Sequence, residues 1–198
     1  MRALPLRPIM SATPRDRLLD SATRLFLEGG IQAVSIARII ADADVALMTL
    51  YRHFSGKDEL VGAAVKRWSV RWLKWLEEQL DACSDDPDAR LDCLWNALGA
   101  WSTSEQFDGS LVVNAAIELR GSPHHPVHTA ILDHRMALRK LLEDLATSAG
   151  AADPTELAAQ LHVLVEGLLA AAIVERRSTD ASSVRTLADL ALAASSAG

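Results

Sequence analysis

Apolar residues recur at three- and four-residue intervals along most of the chain, which is the spacing of one face of an α-helix. Ala and Leu fill most of these positions, and both residues favour helices over strands. Starts and stops are visible too, since Thr13-Pro14 supplies an N-cap followed by proline and Gly29-Gly30 supplies a stop. The pattern predicts an all-α protein with helices at residues 14–28, 36–41, 46–53, 56–83, 88–101, 110–119, 127–148, 155–176 and 183–194.

The first three predicted helices are too short to be stable alone, so they must pack on one another. The residues that we expect in their shared core are Leu25, Phe26, Ile36, Ile39, Val45, Leu50 and Phe54. The third helix keeps one side free, of a size and polarity that fit the major groove of DNA. We divide the chain into a flexible arm, residues 1–12, a DNA-binding head, residues 13–60, and a helical ligand-binding and dimerisation body, residues 61–198.

Charge is divided unevenly between these parts. The net charge is −6, which by itself argues against a nucleic-acid partner because Lys and Arg neutralise phosphates. Residues 1–74, however, hold 12 Lys and Arg against 7 Asp and Glu, whereas residues 75–198 hold 8 against 19. Only the first part of the chain is suited to face DNA.

Four segments of the head share one register with a known family. They are Ala22 to Gly30, Ser35-Ile36-Ala37-Arg38-Ile39, Ala43-Asp44-Val45 and the run Thr49 to Leu60. Together they resemble the helix-turn-helix head of the tetracycline-repressor (TetR) family, and a match in four elements is more specific than one short motif. The resemblance implies a homodimeric transcriptional regulator whose two heads read a roughly palindromic operator in double-stranded DNA.

Five residues are candidates for contacts to the DNA backbone. Ser35 and Lys57 stand at helix starts, where amide groups and a positive dipole favour phosphate. Tyr51 and His53 resemble the backbone-contacting pair of the family, although Tyr51 has a core position as its alternative. Arg38 is interpreted as a phosphate-facing or solvated charge.

Three residues of the third helix are the candidates for reading bases. Leu47 offers an apolar face to thymine, Thr49 a methyl and a hydroxyl, and Arg52 a guanidinium that can pair with guanine. Three neighbouring positions depart from the family pattern, namely Asp44, Ala46 and Met48. Asp can adopt the left-handed conformation that this turn needs, at some energetic cost.

Tryptophan is concentrated in the body, on two predicted helices. Trp68, Trp72 and Trp75 are spaced i, i+4, i+7 and form one stripe. Ordinary core packing is one interpretation, and lining of a pocket for a hydrophobic or aromatic inducer is the other. The candidate ligand-binding residues are Trp68, Trp72, Trp95, Trp101, Asn114 and Glu118.

The predicted helix at residues 155–176 is rich in Ala and Leu on almost all sides. A helix of that kind must be covered on all sides. With residues 183–194 it is expected to form a four-helix interface with a second copy, and the alternative is a central core helix in a monomer. The candidate interface residues are Ala159, His162, Gly167, Ala170 and Ala171.

Other chemistry is poorly represented. His124, His125 and His128 favour a polar turn over a metal site, because no acid or cysteine stands beside them at ligand spacing. Cys83 and Cys93 lack metal spacing, and we expect them to be buried or neutral in role rather than paired. No metal or organic cofactor is expected.

Membrane association and secretion are not expected either. No apolar run is long enough to span a bilayer without interruption, and Pro5 and Pro8 break the apolar start that a secretion signal needs. We therefore expect a soluble, cytoplasmic protein.

The sequence predicts a transcriptional regulator that is not an enzyme, and more narrowly a repressor released from a palindromic operator by a small, largely apolar ligand. No nucleophile, base and orienting group occur together, as an enzyme would need. The alternative is a helical adaptor or an enzyme-like ligand-binding protein without operator binding.

Overall fold

A computed structural model describes residues 13–83, 86–105, 107, 109–175 and 181–196. Over these residues the regular structure is α-helical throughout, which confirms the predicted fold class. The helices are α1 (Pro14–Gly29), α2 (Ile36–Ala43), α3 (Leu47–His53), α4 (Lys57–Asp81), α5 (Pro87–Ser102), α6 (Leu111–Glu118), α7 (Val127–Ser148), α8 (Pro154–Val174) and α9 (Ser182–Ser196). Each bound lies within two residues of its prediction. The expected arm at residues 1–12 and the expected helix end at Arg176 lie outside the described residues.

Side-chain caps explain where several helices begin. Thr13 accepts a hydrogen bond from the backbone N–H of Asp16 at 3.2 Å, with Pro14 at the first helical position. Asp153 accepts from the N–H of Glu156 at 3.0 Å, again followed by a proline. These bonds satisfy N–H groups that have no partner within the helix.

The start of α4 uses an acid that the sequence analysis did not select. Ser55 was expected to pair with Asp58, the third residue after it. Instead Glu59 accepts from both the backbone N–H and the hydroxyl of Ser55, at 2.7 and 2.8 Å. The two hydrogen bonds lower the pKa of Glu59, because they favour its charged form.

By their contacts the described residues fall into two compact units. The first unit comprises residues 13–72 and Ser110–His134, and therefore α1, α2, α3, α6 and the first parts of α4 and α7. The second unit comprises residues 73–109 and those from Arg135 onward. The predicted head, residues 13–60, lies within the first unit.

The first unit is built around an apolar core. Leu18, Phe26, Ile39, Leu50 and Phe54 are each no more than 2% exposed. Trp68 and Trp72 of α4 stack on each other with ring centroids 6.0 Å apart. His134 lies beside both tryptophans, with its Nδ1 atom 2.8 Å from the hydroxyl oxygen of Ser69. Two expected core residues, Ile36 and Val45, are only half-buried.

The second unit contains an aromatic cluster and an apolar central helix. Trp101 lies between Trp75 and Phe107, with ring centroids 5.7 and 5.0 Å away. Helix α8 packs on α5 and α9 and buries eight of its residues. By length and composition alone, α8 is apolar enough to cross a membrane. Burial of much of that helix inside the unit is typical of a core helix.

The expectation for the cysteines is wrong. Cys83, just after α4, and Cys93 of α5 are joined as a disulfide, with their Cα atoms 6.5 Å apart. The expectation rested on the reducing compartment predicted for this protein, and sequence alone does not give the distance between the two residues. A Cα separation of 6.5 Å lies within the range that a disulfide spans.

Candidate functional site

The turn between α2 and α3 is closed by a strained aspartate. Ser35 caps α2 by accepting from the N–H of Arg38 at 3.2 Å. Asp44 ends that helix in the left-handed conformation, with φ 50° and ψ 57°. Among the described residues it is the one non-glycine at positive φ. The expected left-handed aspartate is confirmed, and Ala46 then starts α3 without a side-chain cap.

Helix α3 buries one side chain and exposes most of the others. Leu50 is fully buried and fixes the helix on the core. Met48 is 78% exposed, Tyr51 is 49% exposed, and Leu47 and Arg52 are exposed as well. Because Tyr51 is half in solvent, the core interpretation of that residue is wrong.

The exposed side of α3 forms a shallow open depression. Its lining residues are Met48, Thr49, Tyr51 and Arg52. Two of the three candidate base readers and one candidate backbone contact are thus brought together. Thr49 itself is half-buried, so its methyl and hydroxyl groups are less accessible than the side chains of Tyr51 and Arg52.

The candidate phosphate contacts differ in how free they are. Ser35 is exposed, and its hydroxyl hydrogen stays available because the oxygen acts as the acceptor in the cap. Arg38 is exposed. Lys57 donates its ammonium to the main-chain oxygen of Gln32 at 3.1 Å. Burial lowers the pKa of Lys57 because it disfavours the charged form.

His53 is the most constrained of the candidates. It is half-buried, and its Nε2 atom is covered without a hydrogen-bond partner in the described part of the chain. That nitrogen therefore cannot meet a phosphate from its present position. A backbone contact by His53 needs its other ring nitrogen.

Sequence reasoning missed two arginines at the start of α1. The guanidinium of Arg15 lies over the ring of Phe54, 5.3 Å from the centroid. Arg17 lies 3.9 Å from the carboxylate of Asp44. The signal was present, because two cations stand in the first turn of α1, where a helix dipole gives them no stabilisation.

Comparison with known proteins decides the family. A sequence profile of bacterial regulatory proteins of the tetR family matches residues 18–64. A solved TetR-family transcriptional regulator from Streptomyces coelicolor is 30% identical, with 92% of this chain and 96% of that chain covered and a TM-score of 0.74. The chain belongs to the TetR family. It is thus a DNA-binding transcriptional regulator with a helix-turn-helix head and not an enzyme, as predicted.

Two curated relatives support the same assignment. The HTH-type transcriptional regulator YjdC of Escherichia coli is 23% identical, with 88% of this chain and 91% of that protein covered. The nicotine-responsive repressor HdnoR of Paenarthrobacter nicotinovorans is 24% identical, with 68% and 70% covered. Both alignments extend beyond the head into the body of this chain.

The candidate ligand-binding residues of this TetR-family regulator are dispersed over the two units. Trp68 and Trp72 belong to the first unit, and Trp95 and Trp101 to the second. The side chains of all four are no more than 2% exposed. The indole N–H groups of Trp68 and Trp95 are buried without an acceptor among the described residues. Asn114 is half-buried.

Glu118, the other polar candidate, already has protein partners. Its two carboxylate oxygens accept from the backbone N–H groups of Ile31 and Gln32, each at 2.9 Å. In this structure, therefore, the carboxylate faces the turn after α1.

The candidate interface residues of α8 differ in exposure. Gly167 and Ala170 are exposed, whereas Ala159 and Ala171 are half-buried. His162 is buried, with its Nε2 atom 3.3 Å from the carboxylate of Glu166.

His125 and His128, at the start of α7, make contacts within the local structure. Nδ1 of His125 accepts from the N–H of Val127 at 3.1 Å, and its Nε2 lies 3.4 Å from the carboxylate of Asp58. His128 Nε2 lies 2.9 Å from the main-chain oxygen of Ser122. In the described ranges, no group of three or more His, Cys, Asp or Glu side chains is arranged to hold a metal.

Proposed function

We propose that this regulator represses transcription by binding a roughly palindromic operator as a homodimer, and that a small, largely apolar ligand releases it. The observation that carries the proposal is the exposed side of α3, where Tyr51 and Arg52 face solvent while Leu50 fixes the helix on the core. A short helix held this rigidly can enter the major groove without rearrangement.

The surface around α3 divides into two chemical parts. Ser35 and Lys57 supply an O–H and N–H donors at helix starts, which suits phosphate oxygens. Leu47, Thr49 and Arg52 supply apolar and donor groups that suit base edges. We assign the first pair to holding the DNA and the other three residues to reading it.

Dimerisation is proposed from an apolar stripe on α8. Val163, Gly167, Ala170 and Val174 recur at helical spacing on one exposed side, and Val174 is 81% exposed. A Cβ built on Gly167 would meet nothing within 4 Å. Large exposed apolar patches mark interaction surfaces.

Helix α9 extends this surface. It packs on α8 and exposes Leu187 and Leu190, one helical turn apart. A two-fold pairing of α8 and α9 with the same helices of a second copy gives a four-helix interface that covers both sets of side chains.

An apolar inducer is proposed from the aromatic content of the chain. The buried indole N–H groups of Trp68 and Trp95 lack acceptors among the described residues, so a ligand carrying an acceptor atom would satisfy either of them. The relative HdnoR is by name a nicotine-responsive repressor, which supports a small aromatic molecule as the kind of inducer. Ligand and operator would oppose each other reciprocally, because each favours a different separation of the two heads.

An electrophoretic mobility shift with the DNA upstream of its own gene tests the proposal. We expect a shifted band, a two-fold symmetric footprint and a dimer by analytical ultracentrifugation. Failure to bind any sequence specifically at any salt concentration would favour the helical adaptor instead. A ligand screen by tryptophan quenching on the same preparation identifies molecules that also release the DNA.

The division of roles has its own test. Thr49→Ala is expected to weaken discrimination between the operator and a mutated operator, because a base contact is lost. Lys57→Ala is expected to weaken both alike and to reduce the salt dependence by about one ion. An equal loss of specificity in both variants would contradict the division.

A further inference from the structure

Glu118 connects α6 to the DNA-binding head through the turn that follows α1. This carboxylate ends α6, and each of its oxygens accepts one of two consecutive backbone N–H groups, those of Ile31 and Gln32, at 2.9 Å. Such charge-assisted bonds are about twice as strong as neutral ones. The turn is therefore held by a residue far away in the sequence and outside the segment that the family profile matches, residues 18–64.

The turn is also shaped to receive this side chain. The side-chain amide of Gln32 also donates to the main-chain oxygen of Glu118 at 2.6 Å, so Gln32 donates two hydrogen bonds to Glu118. Gly30 adopts φ +82°, and a Cβ there would lie 3.4 Å from both carboxylate oxygens. A side chain at position 30 would contact the carboxylate and would strain the backbone at this positive φ.

The same turn leads directly to candidate phosphate contacts. The main-chain oxygen of Gln32 accepts from the ammonium of Lys57 at 3.1 Å. The charge of Glu118 acts on that ammonium too, since it raises the pKa of Lys57 against the larger opposing effect of burial. Three residues after Gln32 comes Ser35, which caps α2. A displacement of the turn would therefore move both groups that we assign to phosphates.

We propose that Glu118 is a positioning residue for DNA binding. It acts through the turn at residues 30–32 and through Lys57, and it keeps them in the arrangement that fits the DNA backbone. This inference rests on the proposed roles of Ser35 and Lys57. A role in stability alone is the competing explanation, and it makes no prediction about the DNA backbone.

The salt dependence of DNA binding separates these explanations. The probe is a fluorescein-labelled duplex of mixed sequence, whose binding reports phosphate contacts and needs no knowledge of the operator. Glu118→Gln keeps the size of the side chain but loses its charge and one acceptor oxygen. We expect about tenfold weaker binding and a slope of log K against log salt that is smaller by about one ion. The control is Ile117→Ala. Ile117 is the neighbour of Glu118, its side chain is exposed, and an apolar side chain makes no hydrogen bond to the head.

A double-mutant cycle shows whether Glu118 acts through Lys57. In a Lys57→Met background, Glu118→Gln should weaken binding less than in the wild type, because one of the two groups that it positions is gone. Equal factors in both backgrounds, or wild-type affinity and slope in a folded Glu118→Gln protein, would overturn the proposal. Folding is followed by circular dichroism and thermal unfolding on the same samples.

A second variant keeps the test informative if Glu118→Gln does not fold. Gln32→Ala removes the hydrogen bond from the side-chain amide of Gln32 to the main-chain oxygen of Glu118 and leaves α6 intact. Like Glu118→Gln, it should reduce both the affinity for DNA and the salt slope. Wild-type values for a folded Gln32→Ala protein would count against the proposal. If the wild-type protein does not bind duplex DNA at all, the proposed function fails together with this inference; if it binds and the variants match it, only the inference fails.

Discussion

Asp20 of α1 binds two arginines of α4 at once. One carboxylate oxygen accepts from Arg67 at 2.7 Å and from Arg71 at 3.0 Å, and the aspartate side chain is only 8% exposed. Arg67 also pairs with Asp16 at 2.7 Å. The residues of this cluster all belong to the first unit. The cluster therefore fixes α1 of the head against α4, the helix that begins with Lys57.

Breaking the cluster should destabilise the protein. Asp20→Asn leaves two largely buried guanidinium groups without their shared carboxylate. Loss of one member of a buried ion pair typically costs 3–5 kcal/mol of stability. Because the side chains of Arg67 and Arg71 are 16% and 18% exposed, solvent screens part of this effect, and we expect a loss of about 2–3 kcal/mol. Urea unfolding of variant and wild type measures the change.

An exposed ion pair of α4 provides the control for this variant. Lys74 and Glu78 lie 4.0 Å apart on the helix surface. Glu78→Gln should change the free energy of unfolding by less than about 0.5 kcal/mol. Similar losses in Asp20→Asn and Glu78→Gln would show that burial of the cluster does not matter.

The helices of this protein could be predicted from sequence because their determinants are local. Thr13-Pro14 and Asp153-Pro154 announce helix starts, and the apolar spacing continues to each end. The cluster at Asp20 could not be predicted, since nothing local tells which arginine of α4 faces α1. The same holds for Glu118, whose partners lie 86 and 87 residues away. The spacing of Asn114 and Glu118 places both on one face of a helix, but it does not tell that Glu118 binds the backbone of Ile31 and Gln32.

For the candidate DNA site, too, the helix and its exposed residues could be predicted from sequence, but the tertiary contacts could not. Spacing places Tyr51 and Arg52 on the recognition helix, and the structure exposes both. Spacing does not tell that Lys57 donates to Gln32 or that Nε2 of His53 is covered. Both facts are tertiary properties, and the first depends on how the turn after α1 packs against the start of α4.

Asp44 should limit both stability and DNA affinity. A left-handed aspartate is strained relative to glycine, so Asp44→Gly should raise the free energy of unfolding by roughly 0.5–1 kcal/mol. Its side chain is exposed at the turn before α3, where a negative charge would repel the phosphates of DNA bound at the proposed surface. Asp44→Asn removes the charge and keeps a side chain that tolerates this conformation. Both variants should bind a mixed-sequence duplex more tightly, and only the glycine variant should gain stability. Unchanged affinity in both would place Asp44 away from the DNA.

Gly167 offers a direct test of the dimer surface. Since a Cβ there meets nothing within 4 Å, Gly167→Leu should leave the fold of one copy intact. Between two closely packed copies of α8 the added side chain has no room, so the dimer should dissociate at concentrations where the wild type stays associated. Sedimentation velocity measures this. Gly121→Leu, likewise in open space but distant in sequence from α8, is the matched control; a dimer in both variants contradicts the proposed face.

The disulfide should contribute measurably to stability. It closes a loop of sequence separation 10, for which the chain-entropy model gives somewhat under 3 kcal/mol. Reductant should therefore lower the melting temperature of the oxidised protein, and a Cys83→Ser, Cys93→Ser double variant should melt like the reduced wild type in either condition. A melting temperature that does not respond to reductant would show that the pair contributes little.

His162 should make the protein less stable in mild acid. Burial lowers the pKa of this histidine below its ordinary value of 6.5, the charges of Arg135 and Arg139 lower it further, and Glu166 acts in the opposite direction. The unfolded chain therefore takes up a proton first as the pH falls. Stability should be complete above about pH 6.5 and decrease below it.

A matched pair of histidine variants isolates this effect. His162→Gln cannot be protonated, so the difference in free energy of unfolding between it and the wild type should change below about pH 6.5, with the wild type losing more. His124→Gln alters an exposed histidine outside α8 and serves as the matched control. Urea unfolding across this pH range gives the curves. If the wild type and His162→Gln decline in parallel, the acid sensitivity belongs to other groups, and the contact between His162 and Glu166 then compensates for burial of the ring.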